Sequence, residues 1–137
     1  MGNASDAMQV SAFGMRAQTA RMRIISENIA NADSTAREPG GDPYQRQIPV
    51  FNNELDRVTG VNRVRMSDVA HDQSAFTLEY DPGHPAADAD GYIRTSNVNM
   101  LVEMMDMREA MRSYEANLNM IENSRRMQER ALDLLRR

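Results

Sequence analysis

The sequence of 137 residues contains no cysteine, no tryptophan and no lysine. The absence of cysteine excludes disulfides, thiolate metal sites and cysteine nucleophiles. The absence of lysine excludes a Walker A phosphate loop and a lysine Schiff base. Aromatic residues make up only 5% of the chain, so the large buried anchors that usually stabilise a compact monomer are scarce.

The chain also lacks an excess of positive charge and a long apolar run. Its 16 arginines are mixed with 20 acidic residues, giving a net charge of -4, so we expect no nucleic-acid partner. No segment approaches the roughly 20 apolar residues of a membrane helix, so we expect no direct membrane insertion. The N-terminus does not show a basic segment followed by an apolar one, which argues against export by a cleaved signal peptide.

Three regions differ in texture, and the fold class that they predict is mainly α with a small β or loop insert. Residues 1–32 are rich in helix formers and predict an N-terminal helix from about Ser5, with Ser5 and Asp6 as its cap and first turn. Residues 33–96 hold all five prolines and five of the seven glycines, and predict a loop-rich, partly β insert. Its β-favouring runs are Tyr44 to Phe51, Asn62 to Met66 and Ala75 to Tyr80.

Residues 97–137 contain neither proline nor glycine and predict a second long helix, packed on the first as a coiled-coil-like pair. Apolar residues recur at alternating spacings of three and four and form one seam along this helix. A second stripe runs beside the seam, and seven of the 12 methionines lie between Met100 and Met127. The seam consists of Met100, Met104, Met107, Met111, Tyr114, Leu118 and Ile121, and the second stripe of Met120, Met127, Ala131 and Leu134.

The first helix also has two apolar sides. Met8, Met15, Met22 and Ile29 recur every seven residues, and Val10, Phe13, Ala17, Ala20 and Ile24 occupy nearly the opposite side. One hairpin partner cannot cover both sides, and no third long helix is available, so we predict packing against several partners. A simple two-helix coiled coil is the alternative. We expect the following residues at subunit interfaces: Met8, Val10, Phe13, Met15, Met22, Ile25, Ile29, Met100, Met104, Met107, Met111, Tyr114, Leu118, Ile121, Met127 and Leu134.

Catalytic and metal sites find no support in the sequence. His71 and His84 are the only histidines, and neither stands in a recognisable catalytic or metal-binding motif. Asp88, Asp90 and Gly91 suggest the centre of a calcium loop, but that register requires acids at both of its ends, where alanine and asparagine stand. We therefore expect no cofactor, no metal and no enzymatic activity.

The end of the first helix carries a recognisable motif. The segment Asn28-Ile29-Ala30-Asn31 is followed by Pro43-Tyr44-Gln45-Arg46, and both elements resemble the signature of the flagellar rod, hook and hook-filament proteins. The long gap between the two elements, Thr35 to Asp42, is similar to that of proximal-rod members. Asn97-Val98-Asn99, Glu103-Met104 and the segment around Asn117 resemble the last helix of these proteins. The resemblance gives six motif or register residues: Asn28, Asn31, Tyr44, Arg46, Asn97 and Asn117.

The resemblance implies a structural subunit of the flagellar basal-body rod, a tubular drive shaft that crosses the periplasm, transmits torque and surrounds the export channel. It implies export by the flagellar type III apparatus. The implied partners are other copies of the chain, the rod proteins FlgB, FlgF and FlgG, the adaptor FliE and the MS ring. The alternative from the residues themselves is a soluble coiled-coil adaptor that binds one partner helix in a methionine-rich groove.

Overall fold

The computed structural model describes residues 2–136 and consists of two long terminal helices with four strands between them. Helix α1 spans Gly2–Ala30 and helix α2 spans Met100–Leu135. The strands are β1 (Gln47–Leu55), β2 (Asn62–His71), β3 (Thr77–Tyr80) and β4 (Tyr92–Thr95). The prediction of two terminal helices around a small, partly β middle region is confirmed.

The helix boundaries follow local hydrogen bonding. Helix α1 begins at Gly2, so the predicted cap at Ser5 and Asp6 is wrong, because both residues lie inside the helix. At its other end the Asn31 side chain donates to the Glu27 carbonyl at 2.8 Å. Helix α2 begins at Met100, three residues later than predicted. The reason is a cap at Asn99, whose Oδ1 accepts from the backbone N–H groups of Leu101 and Val102.

The strands form two separate two-stranded sheets, β1 with β2 and β3 with β4. The turn between β1 and β2 contains Gly60 at φ 70°, a conformation that a side chain disfavours. Strands β3 and β4 are antiparallel, with Thr77 opposite Thr95 and Tyr80 opposite Tyr92. An isolated bridge joins Thr95 to Thr35 and ties this second sheet to the segment that follows α1.

The chain divides into two compact units, and each is described by itself. Unit 1 comprises Met1–Met22, Val50–Asp68 and Arg108–Arg137. Unit 2 comprises Arg23–Pro49 and Val69–Met107. Within residues 2–136, neither helix carries an apolar stretch long enough to span a bilayer.

In unit 1 the two helix segments run antiparallel and approach closely at Gly14. A Cβ placed there would lie 2.9 Å from Asn117 Nδ2, and Arg21 pairs with Glu109 at 3.7 Å about two turns away. The stripe of α2 with the least exposure has small or polar residues every seven positions, namely Ala110, Asn117 and Ser124. Small side chains on both helices allow this approach.

This stripe differs from the seam that the sequence predicts. Met111 and Leu118 belong to the predicted seam but are 50% and 40% exposed, whereas Tyr114 and Ile121 are half-buried. The predicted seam does not include Ala110, Asn117 and Ser124, because a hydrophobic pattern is read from apolar residues and these are small or polar. The stripe with the largest apolar side chains therefore remains on the surface of the single chain.

The second apolar side of α1 is partly covered within the chain. In unit 1, Phe13, Ala17 and Ala20 line a cleft whose other wall is the β2 segment from Arg63 to Met66. The Arg63 guanidinium lies 5.9 Å from the centre of the Phe13 ring, within cation–π range. The sequence contains no third long helix to cover this side, but part of the β insert lies against it, which periodicity alone does not reveal. The predicted packing against several partners stays a prediction.

Unit 2 has its own small core. Ile24 and Ile25 from α1 are 2% and 3% exposed, and Ile93 of β4 is 4% exposed. Ile25 was expected at a subunit interface, but it has almost no surface left for a neighbour. Ile25 lies three residues before Asn28, so the two side chains share one face of the helix, and Asn28 is only 1% exposed.

Candidate functional site: a buried polar cluster and exposed helix faces

Asn28 is the centre of a buried polar cluster in unit 2. Its Nδ2 donates to the Gln47 carbonyl at 2.9 Å and to Glu103 Oε2 at 3.1 Å. Its Oδ1 accepts from the Tyr44 hydroxyl at 2.8 Å and from the Gln47 backbone N–H at 2.9 Å. All four hydrogen-bonding positions of the amide are filled, as a buried polar group requires. One side chain thereby connects α1, the segment leading into β1, and α2.

Glu103 places a carboxylate with no exposed surface on the first turn of α2. Its Oε1 accepts a hydrogen bond from Arg46 Nε at 2.5 Å, and its Oε2 accepts from Asn28. The Arg46 guanidinium also lies 3.5 Å from Asp72 and 3.7 Å from Asp106. A buried charge is tolerated only when it is paired and hydrogen-bonded, and Arg46 meets that need for Glu103.

The backbone around Arg46 is held as firmly as its side chain. Its N–H donates to Asn97 Oδ1 at 2.7 Å, and its carbonyl accepts from the Asp72 N–H at 2.8 Å. The Asn97 Nδ2 donates to the carbonyls of Asp72 and Ser74, at 3.0 and 3.1 Å. The Gln45 side chain adds a bond of 2.7 Å to the Asp72 carbonyl. The segment before β1, the end of β2 and the approach to α2 are thus joined at one place.

Three pKa values are shifted in this cluster. Burial alone lowers the pKa of Arg46, but its hydrogen bond to Glu103 and the charges of Glu103, Asp72 and Asp106 outweigh that effect, so the pKa is raised. Burial, with the charges of Glu27 and Glu103, raises the pKa of the Tyr44 hydroxyl. Hydrogen bonds from the Ser74 backbone and side chain, and the nearby Arg46, lower the pKa of Asp72. At neutral pH the cluster therefore holds a charged Arg46 against charged Asp72 and a neutral Tyr44.

The structure brings four of the six sequence-derived motif residues together: Asn28, Tyr44, Arg46 and Asn97. The other two lie elsewhere. Asn31 caps its own helix through Glu27, and Asn117 donates to the Ser113 carbonyl on its own helix in unit 1.

Two acids outside the six motif residues complete the cluster. Glu103 appeared in the sequence only as part of the Glu103-Met104 match to the last helix, and Asp72 appeared in no motif. A signal for Glu103 exists, because it is the only acid in the apolar run from Met100 to Met105. It also stands seven residues before Ala110, on the small-residue stripe of α2. For Asp72 we find no such signal, because its partners come from distant parts of the chain.

The outer part of α2 in unit 1 presents two exposed apolar faces, one on each side of the stripe that approaches α1. The ridge face carries Met111 and Leu118, with the acidic residues Glu115 and Glu122 beside them. The opposite face carries Met120, Met127, Ala131 and Leu134, all exposed. Isolated exposed apolar residues are ordinary, but continuous apolar faces such as the second of these mark interaction surfaces.

The remaining expected interface residues differ in exposure. Val10 in unit 1 and Met100 and Met104 in unit 2 are exposed. The following residues are half-buried within the chain: Met8, Phe13, Met15, Met22, Ile29, Met107, Tyr114 and Ile121. An apolar groove of about 510 Å³ in unit 1 is lined by Ala4, Met127, Gln128, Ala131 and Leu132.

The histidines have local roles. His84 Nδ1 accepts a hydrogen bond from the Ala86 N–H at 3.0 Å, which closes the turn between β3 and β4. His71 is exposed at the end of β2. Asp88 likewise serves a turn, because its Oδ1 accepts from the N–H groups of Asp90 and Tyr92. In the part of the chain that the structure describes, no group of His, Asp or Glu side chains could hold a metal ion.

Family models match both ends of the chain, and individual relatives match it along nearly its whole length. A family model described as "Flagella basal body rod protein" matches residues 8–37, and one described as "Flagellar basal body rod FlgEFG protein C-terminal" matches residues 89–134. The chain is 49% identical to the flagellar basal-body rod protein FlgC of Agrobacterium fabrum, over 96% of this chain and 95% of that protein.

Similarity of the same kind extends to FlgC proteins of other bacteria. The FlgC protein of Borreliella burgdorferi is 40% identical, and that of Bacillus subtilis 34%, each over 93% of this chain and 95% of the relative. The first matched segment contains Asn28 and most of α1, and the second contains Asn97, Glu103 and most of α2. Both segments therefore contribute directly to the polar cluster.

Proposed function

Because this chain belongs to the FlgC family of flagellar basal-body rod proteins, we propose that it joins the rod through the exposed apolar faces of α2. It is a structural subunit of the flagellar basal body and not an enzyme. As a rod protein it assembles with other rod proteins. We propose which of its surfaces contact those neighbouring proteins.

The single observation that carries the proposal is the exposure of large apolar side chains on α2 where smaller ones are buried. Met111, Leu118 and Met127 are 50%, 40% and 62% exposed, whereas Ala110 and Ser124 on the same helix are buried. A monomer would gain by turning the larger residues inward, since burying each such side chain contributes about 1.5–3 kcal/mol. Their exposure is explained if neighbouring subunits cover them.

The polar cluster has a complementary part in this proposal. Asn28 and Arg46 fix the exit of α1, the start of β1 and the first turn of α2 through hydrogen bonds that a shifted arrangement would leave unmade. Breaking a buried, paired charge costs several kcal/mol, so alternative registers are disfavoured. Asn28, rather than Asn31 or Asn117, is the residue to which we assign this register role.

The family resemblance supports a more detailed arrangement. The helices pair as a coiled coil within the subunit, and the subunit belongs to the proximal part of the rod. The rod crosses the periplasm, surrounds the export channel with α2 and transmits torque through many buried contacts. Its partners are further copies, FlgB, FlgF, FlgG, FliE and the MS ring, and the flagellar type III apparatus exports it.

A comparison of substitutions on α2 tests the proposal. Leu118→Glu and Met127→Glu place a charge on the two exposed faces, so each should reduce the amount of the chain in isolated basal bodies and abolish swimming. Asn119→Glu is the matched control, because it adds the same charge at an exposed polar position one residue away. The amount of chain in basal bodies is measured by immunoblot in a strain that lacks the native copy.

Two outcomes would contradict the proposal. If the unaltered chain is absent from basal bodies, it is not a rod subunit in the cell. If both glutamate variants assemble as well as the control, the exposed faces are not the assembly surfaces. A soluble complex of fixed small mass in place of incorporation would favour the adaptor alternative.

A further inference from the structure

The cleft between α1 and β2 in unit 1 is chemically matched to the ridge face of α2. Its floor is apolar, formed by Phe13, Ala17, Ala20 and Val64. Its volume is about 310 Å³, and α1 lines it from Phe13 to Ala20, a length of about two helical turns. Val64 is 46% exposed and none of these residues belongs to the polar cluster of unit 2. Ala17 is only 5% exposed, so the apolar surface that the cleft leaves open comes from Val64 and the half-buried Phe13 and Ala20.

The charge at the rim of the cleft is positive. Arg63 is already paired, since its guanidinium lies 3.3 Å from Glu54 and 3.6 Å from Asp56. Arg16 and Arg65 also line the cleft, and both are exposed. Arg65 comes within 3.9 Å of Glu54, but an exposed pair at that distance contributes little. The two arginines leave the rim suited to an acidic partner.

The same chain presents a surface of the opposite kind. On the ridge face, Met111, Glu115, Leu118 and Glu122 follow one another at spacings of four, three and four, so they lie along one side of the helix. Glu122 is in contact with Arg126 at 3.5 Å, again an exposed pair of little strength. Between Arg108 and Arg125, which continue the same line at its two ends, the ridge thus offers two apolar side chains alternating with two carboxylates.

We propose that the cleft formed by Phe13, Arg16, Ala17, Ala20, Val64 and Arg65 binds the α2 ridge of a second copy of this chain. Leu118 and Met111 of one copy enter the apolar floor, while Glu115 and Glu122 face Arg16 and Arg65 of the other. This inference rests on the proposed function, because it names the surfaces through which two rod subunits meet.

The occupant of the cleft that we favour is a second copy of this chain, because the chain itself carries the matching ridge. Cleft and ridge are different surfaces of the same unit, so each copy can receive a ridge and donate one. Such a head-to-tail contact repeats from copy to copy and builds a ring or an open helix, according to the rotation between copies. A rod requires a repeating contact of this type, and the matched charges fix which surface meets which.

Cross-linking in assembled rods tests the contact. The chain contains no cysteine, so introduced thiols are unambiguous within it. Cells that lack the native copy produce two variants together, Val64→Cys and Met111→Cys, and their basal bodies are treated with a short bismaleimide. Any peptide pair joining positions 64 and 111 then comes from two different copies, and mass spectrometry identifies it.

The control replaces Met111→Cys by Met127→Cys, a methionine of similar exposure on the opposite face of α2. We expect a 64–111 link and at most a trace of a 64–127 link. The inference is overturned if the chain is present in basal bodies but the 64–111 link is absent, or if position 64 links instead to another rod protein. Absence of the chain from basal bodies would instead overturn the proposed function.

A charge exchange gives a second, independent measurement if the cysteine variants assemble poorly. The double change Arg16→Glu and Arg65→Glu sets like charges against each other and should lower incorporation into basal bodies about tenfold. Adding Glu115→Arg and Glu122→Arg to the same chain restores opposite charges and should recover most of the loss. Failure of the fourfold variant to exceed the double variant contradicts the contact.

Discussion

Arg46 Nε donates to Glu103 Oε1 at 2.5 Å, and the carboxylate that it reaches has no exposed surface. Arg46 itself retains 21% of its side-chain exposure and lies near two further acids, Asp72 and Asp106. Loss of Arg46 would therefore affect Glu103 more than loss of Glu103 would affect Arg46. Glu103 has one cationic partner among its hydrogen bonds, whereas Arg46 has several anionic neighbours.

The first prediction concerns the loss of that partner. Arg46→Met keeps much of the apolar stem but leaves the Glu103 carboxylate buried without a cation. We expect a loss of about 3 kcal/mol in the free energy of unfolding, at the lower end of the range for buried pairs because Arg46 is partly exposed. Urea denaturation followed by circular dichroism measures this loss.

The double variant Arg46→Met with Glu103→Gln is the control for that prediction. An uncharged amide at position 103 removes the buried charge and can still accept the hydrogen bond from Asn28. The double variant should be more stable than Arg46→Met alone. Equal stability of the two variants would mean that the buried charge is not the cause of the loss.

The second prediction separates two asparagines of the same motif. Asn28→Ala removes four hydrogen bonds from a buried site and should lower the free energy of unfolding by about 3 kcal/mol. Asn31→Ala removes one bond to its own helix and should cost about 1 kcal/mol or less. Denaturation of both variants under one condition makes the comparison, and a larger loss at Asn31 would contradict the assignment.

Part of this architecture could be predicted from the sequence, and Asn28 shows where such prediction stops. Proline, glycine and helix-forming residues separate the terminal helices from the middle, so the element types could be predicted. Asn28 could be identified as a motif residue because it stands near the end of the first helix. Its partners Gln47 and Glu103 lie 19 and 75 residues away, and no local pattern connects such distant hydrogen-bonding groups.

Helix packing was harder to predict for a different reason. Counting large apolar residues selects Met111 and Leu118, yet the helices in unit 1 approach through Gly14 and Asn117. Close approach depends on small side chains, and periodicity of hydrophobicity does not measure size. The covering of Phe13 by β2 was missed because it requires knowing where a strand lies relative to a helix.

The third prediction concerns the close approach in unit 1. In Gly14→Ala the new Cβ would lie 2.9 to 3.1 Å from the amide atoms of Asn117, so the Asn117 side chain would have to shift and strain its hydrogen bond to the Ser113 carbonyl. The overpacking should cost about 1–3 kcal/mol, more than the gain of about 1 kcal/mol from replacing a helical glycine. The free energy of unfolding of Gly14→Ala is compared with that of the wild-type chain.

A second substitution identifies the cause of that change. Asn117→Ala removes the side chain that the new methyl group meets, so Gly14→Ala should be tolerated better in the presence of Asn117→Ala. The coupling between the two changes is read from a double-mutant cycle. Additive effects would show that the two positions do not constrain each other.

The fourth prediction concerns acid. The pKa of Asp72 in the folded chain lies below the ordinary value of 3.8, because Ser74 donates to it and Arg46 lies nearby. A lowered folded pKa stabilises the fold above the unfolded value, and this contribution is lost as the pH falls through the folded pKa. In Asp72→Asn the loss of stability between about pH 5 and pH 2 should be smaller than in the wild-type chain. Unfolding measured at several pH values checks the slope, and parallel curves would contradict the prediction.

The most direct test of the account is a structure of the intact basal body, determined by electron cryomicroscopy at side-chain resolution from cells that contain this chain. The account predicts that Met111, Leu118 and Met127 are covered by neighbouring subunits while Asn28 and Glu103 keep their contact. A rod in which this chain is present but those three side chains face solvent would contradict it.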